Sequence, residues 1–144
     1  MPDVEIDEEH HVARYCKPTS LGEDGLPLAT AFELRDGHDH LSVNWLEFFK
    51  VSDLIQAIDC VRQAFRKKEF GVSPNGKFVS LQVGKVKEVI LRNGLPPARI
   101  VHLPENNDPS HSGIYGYTAS DELVSTEIAE LAHAEDMHPG KLPV

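Results

Sequence analysis

Eight histidines in a chain of 144 residues fall into four places. His10 and His11 open an alternating run, His38 and His40 follow an Asp36-Gly37 dipeptide, His102 and His111 bracket a polar stretch, and His133 and His138 lie late in the chain. Imidazole exchanges protons near neutral pH and also ligates metals, so two of these groups meeting in space would define a chemistry. Acid–base catalysis without a metal asks for one imidazole as base, another as acid, and a cation for the charge that develops. Arg14 supplies the cation, because an arginine inside a strand must face solvent or find an anionic partner. The candidate catalytic set is therefore His11, Arg14, His102 and His111, grouped around the phosphate of a nucleotide or an RNA. Tyr15 beside Arg14, Ser42 and Asn44 on a polar strand face, and Asn107 in the polar stretch are the candidate substrate-binding residues.

Other chemistries have less support. His38 and His40 share a strand face with Glu33 opposite, yet HExxH and CxxC are absent and no set of four ligands has recognisable spacing, so no metal is expected. Neither a Walker loop nor GxGxxG occurs, and no cofactor is expected. Ser-His-Asp catalysis lacks a GxSxG elbow, and Ser42 lies inside a strand pattern. Cys16 and Cys60 read as free thiols, Cys60 as a small core residue of a helix.

The elements that must position these groups follow from periodicity and turn chemistry. His10 to Cys16 reads as a strand ended at Lys17-Pro18. Residues 28 to 46 read as a hairpin turning at Asp36-Gly37, which pairs Arg35 with His38, Glu33 with His40, Phe32 with Leu41, and Ala31 with Ser42. One face would then carry Phe32, Leu34, Leu41, Val43 and Trp45, and the other Glu33, Arg35, His38, His40, Ser42 and Asn44. Ser52 as N-cap opens a helix whose apolar stripe is Leu54, Ile55, Ile58, Val61 and Phe65. A strand over 77–83, a helix over 85–93 stopped by Gly94, a strand over 99–103, a polar loop over 101–114 and a helix over 120–135 complete the order. The expected fold is a single α+β domain: a mixed, mostly antiparallel sheet containing the hairpin, with about three helices packed on one side. An acidic disordered arm over 1–9 and a mobile tail over 137–144 flank a globular part over 10–136.

Net charge is −9, but it is unevenly spread. Residues 62–99 hold nine cations against Glu69 and Glu88, which leaves about −16 on the remainder. Three readings follow. The first is a small interaction or regulatory protein with a protein partner, of the kind found in bacterial toxin–antitoxin or defence pairs, engaging it through acidic ends and a basic middle. The second is the metal-independent nucleotide or RNA enzyme described above. In the third, the basic segment 62–99 binds RNA or DNA without chemistry. The acidic N-terminus lacks a signal-like apolar segment and no apolar run reaches the length of a membrane span, so a cytoplasmic location without membrane contact is expected.

Overall fold

A computed structural model describes residues 4–142. It contains seven strands: β1 (Val4–Glu5), β2 (His11–Cys16), β3 (Leu41–Trp45), β4 (Lys77–Gln82), β5 (Arg99–His102), β6 (His111–Tyr115) and β7 (Met137–Pro139). Three helices join them: α1 (Leu54–Lys67), α2 (Val83–Arg92) and α3 (Glu122–Glu130). The strands form one antiparallel sheet in the order β1-β5-β6-β3-β2-β4-β7, the α+β class expected from the sequence.

Alternation along β2 shows why helices cover both faces rather than one. Val12 and Cys16 point into a core shared with Val86, Ile90, Val124 and Ile128 of α2 and α3. Ala13, one residue out of phase, points into a second cluster with Ala57, Ile58, Val61 and Phe65 of α1. The α1 stripe matches the sequence period, but Ile55 is 66% exposed and the N-cap is Asp53, whose Oδ1 accepts the Gln56 N–H at 2.8 Å.

The Asp36-Gly37 hairpin does not form. The turn itself exists, with Gly37 at φ +84° and the His38 N–H donating to Arg35 O. No strand precedes it, because residues Ala29–Phe32 make a 3-10 turn that packs on α3. β6 pairs with Leu41–Asn44 on one edge of β3, while β2 meets the other edge only at Asn44 and Trp45; over the part left open, residues 29–32 lie as a 3-10 turn and not as a strand. Side chains take the carbonyls of this segment instead: Arg14 Nε donates to Ala31 O and the Tyr117 hydroxyl to Phe32 O. The expected apolar set survives the loss of the strand, since Phe32, Leu34, Leu41 and Val43 are all buried in the α2–α3 core and Trp45 packs against it.

Both ends are also more structured than their composition suggests. Residues 1–3 lie outside the described set, but Val4 and Glu5 pair with His102 and Val101, and Ile6 is 1% exposed with its N–H donating to Ile100 O. The disordered arm expected over 1–9 is thus, from Val4, an edge strand followed by a core anchor. Met137–Pro139, expected in a mobile tail, pairs with β4, and Arg62 clamps Pro139 O through Nε and Nη2 at 2.9 and 2.7 Å. Residues 143 and 144 lie outside the described set.

Candidate functional site

β2 and β3 are paired only through Val12 with Trp45 and Ala13 with Asn44, and beyond this point they part. The gap becomes a cleft of about 610 Å³, lined on the sheet side by Ala13, Ser42, Asn44 and His111 and on the α1 side by Phe65 and Lys68. Arg14 bridges the parting strands: besides Ala31 O, it donates from Nη1 to Ser42 O at 2.9 Å. Burial lowers the Arg14 pKa, repulsion from Arg35 adds to the fall, and Cys16 and Tyr117 pull it upward. The guanidinium stays cationic, because arginine starts far above neutrality. Two carbonyls satisfy only part of its five-donor fork, so donors remain for a ligand in the cleft.

Ser42 and His111 meet on this floor. His111 Nδ1 lies 2.9 Å from Leu103 O and Nε2 3.2 Å from Ser42 Oγ. A carbonyl can only accept, so Nδ1 carries the proton and Nε2 presents its lone pair to the Ser42 hydroxyl. Glu105 Oε1 is 3.8 Å from the same Nε2, beyond hydrogen-bond reach. Beneath them runs a buried polar chain. Asn44 Nδ2 donates to Asp108 Oδ1 at 2.8 Å and to Ser110 Oγ at 2.9 Å, and Lys68 Nζ reaches Asp108 Oδ2 at 2.5 Å. Lys68 also sits 4.4 Å from the Phe65 ring centroid, which fixes the ammonium at the cleft wall.

Of the eight residues singled out from the sequence, five share this cleft: Arg14, Tyr15, Ser42, Asn44 and His111. Tyr15 is a wall residue, its ring among Phe65, Phe70 and Phe78 and its hydroxyl accepting the Ser73 N–H. The other three lie elsewhere, so the constellation of His11, Arg14, His102 and His111 is not assembled. His102 pairs with Ser112, one residue out of phase with His111, and so faces the opposite side of the sheet; there it packs on Trp45 and Phe48, with Nε2 2.6 Å from Pro109 O. His11 is held by Glu47, which takes its Nδ1 at 2.6 Å and its backbone N–H at 2.7 Å. Asn107 occupies the left-handed position, φ +64°, of the tight turn from Glu105 to Asp108, which accounts for its residue type.

Glu33 and Arg35, expected on the polar face with Ser42 and Asn44, do line the cleft, whereas Lys17, Lys68 and Glu105 were not singled out as lining residues. Lys68 was legible only as part of a cationic helix end, and its buried partner Asp108 only as a turn residue. Among the described residues, no three His, Cys, Asp or Glu side chains converge as a metal site, and no helix is long and apolar enough to cross a membrane. No protein-family model matches the chain, and neither curated proteins nor solved structures supply a match.

Part of the charge partition is internal. Lys68 pairs with Asp108, Arg92 with Glu127 and Arg99 with Glu5, each joining the basic segment 62–99 to an acidic residue outside it. Arg62 is 8% exposed and committed to Pro139 O. These contacts weaken the charge argument for an interaction protein and for a nucleic-acid-binding surface on segment 62–99.

Proposed function

We propose that this chain is an enzyme that acts, without a metal ion, on a nucleotide or an RNA phosphodiester bound in the cleft between β2 and β3. One observation carries the proposal: in a protein of net charge −9, this cleft is lined by Arg14, Lys17, Arg35 and Lys68 against only Glu33 and Glu105, with the His111–Ser42 pair at its floor. With Lys68 paired to Asp108, Arg14, Lys17 and Arg35 still outnumber Glu33 and Glu105, and an excess of positive charge between low-dielectric walls favours an anionic ligand. The spare donors of Arg14 suit the non-bridging oxygens of a phosphate, and Lys68, its charge balanced by Asp108, adds N–H donors on the facing wall. In the neutral ring, His111 Nε2, on the side that Leu103 O does not hold, takes the proton of an attacking hydroxyl. Phe70, 51% exposed at the cleft edge, offers a ring on which a base can stack.

The test is turnover in the presence of EDTA. Purified protein is incubated with nucleotides and short RNAs, and products are resolved by anion exchange. Cleavage that persists in EDTA and falls roughly 100-fold or more in Arg14→Ala and in His111→Ala is the expected result, the size usual for loss of a general base or charge stabiliser. No product from any of these substrates, or product that vanishes with EDTA, overturns the proposal.

A further inference from the structure

A general base at His111 leaves half of the proton bookkeeping open, since an alkoxide leaving group must also receive a proton. The sequence places His40 at an exposed turn, but the fold brings it back onto the sheet corner that holds His111. The two ring centroids are 6.4 Å apart and nearly perpendicular, and the His40 ring lies 5.0 Å from that of Tyr115. Gly113 makes this possible. It pairs with Ser42 in the β3–β6 register, and a Cβ at Gly113 would stand 2.8 Å from His40 Cδ2, so only glycine leaves room for the imidazole beside Ser42. His40 Nδ1 is 2.7 Å from Asp39 Oδ1, which directs that N–H to the carboxylate and leaves Nε2 for exchange. The His40 side chain is 29% exposed, so it reaches solvent beside His111.

We propose that His40 is the proton donor to the leaving group, paired with His111 as base, and that the substrate is consequently RNA cleaved by its own 2′-hydroxyl. This deepens the proposed function and rests on it. The ribose 2′-hydroxyl takes the place of Ser42 at His111 Nε2 and gives up its proton there while O2′ bonds to phosphorus. The bond from phosphorus to O5′ breaks, and the proton held on His40 Nε2 passes to O5′. The products are a 2′,3′-cyclic phosphate end and a free 5′-hydroxyl. Arg14 neutralises the charge that gathers on the non-bridging oxygens. No oxidant, reductant or second substrate is needed, and exchange with water returns the proton from His111 to His40.

Two substrates separate the roles: a short RNA, whose alkoxide leaving group needs a proton, and uridine 3′-(4-nitrophenyl phosphate), whose phenolate does not. Wild-type protein in EDTA cleaves both, His111→Ala loses both, and His40→Ala loses RNA cleavage by roughly 100-fold or more while aryl ester cleavage falls by no more than about tenfold. The surviving aryl ester activity also reports that the His40 variant is folded. An equal loss on both substrates, or no loss on RNA, overturns the role of His40 while leaving the proposed function standing. Cleavage of a DNA strand of the same sequence at a rate comparable to RNA also overturns it. Wild-type protein that cleaves neither substrate removes His40's role, and the proposed function falls with it when no nucleotide is turned over either.

Discussion

Among single residues, the polar side chains in and beside the cleft are each fixed by giving one side to a rigid partner. His111 has a carbonyl on Nδ1, His40 a carboxylate on Nδ1, and Arg14 two carbonyls on part of its fork, so in each case the remaining nitrogen has a set direction. Cys16 shows the opposite treatment. It is fully buried in the α2–α3 core, and burial pushes its thiol up to about 12, against a smaller downward pull from Arg14. The thiolate is the reactive species, so Cys16 is inert while the fold holds. Cys60 on α1 is only partly buried. A thiol reagent such as Ellman's should therefore label one cysteine in native protein, Cys60 by peptide mapping, and both in denaturant. Rapid native labelling of Cys16 would show that β2 opens readily.

At the scale of elements, the cleft depends on the dock between the C-terminal end of α1 and the turn from β5 to β6. Asp108 is fully buried, and Lys68 is its cationic partner. Removing one member of a buried pair costs far more than the pair contributes, because the survivor is left uncompensated. Lys68→Met should destabilise the fold by about 3 kcal/mol in urea unfolding. Adding Asp108→Asn should recover part of that loss, since Asn44 Nδ2 can still donate to the oxygen of a neutral amide. A loss below about 0.5 kcal/mol in Lys68→Met would show the pair to be solvent-relaxed.

β7 carries a pH-dependent element. Burial lowers the pKa of His138, Arg62 adds repulsion, and Asp136 opposes both. The unfolded chain therefore binds a proton at His138 more readily than the native one, so its neutral form supports stability above the ordinary histidine range and that support fades as pH falls through it. Between about pH 7.5 and about pH 5.5, the urea midpoint of wild-type protein should drop further than that of His138→Gln. Parallel drops would remove His138 from the account.

For the molecule as a whole, what was legible in the sequence was whatever is encoded locally. The α1 stripe, the strand patterns of β2 and β4 and the glycine stop after α2 could be read because each depends on neighbours a few residues away. The hairpin failed for a non-local reason: residues 29–32 turn and pack on α3, and the Arg14 side chain, not a strand, takes the Ser42 carbonyl. β6 itself was hidden, because His111-Ser112-Gly113 looks like loop composition, although it is a buried central strand. The site was half legible for the same reason. Residue type marked Arg14, Ser42, Asn44 and His111, but only register decides that His111 faces the cleft and His102 faces away.

The acidic N-terminus tests how far composition can mislead. Charge alone suggests a solvated arm, but Ile6 is anchored in the main core and its N–H reaches Ile100. Glu5 meets Arg99 at 3.6 Å with both side chains more than half exposed, a geometry that contributes little. Stability should therefore depend on buried Ile6 rather than on the carboxylates around it. Ile6→Ala should cost about 3 kcal/mol, and deletion of residues 1–9 at least as much, lowering Tm by roughly 10 °C for a domain of this size. Changing Glu5, Glu8 and Glu9 together to glutamine should leave Tm within about 2 °C. Thermal unfolding by circular dichroism distinguishes the two cases, and a triple charge variant that melts as early as Ile6→Ala would show that the acidic run, and not its buried anchor, holds the sheet edge.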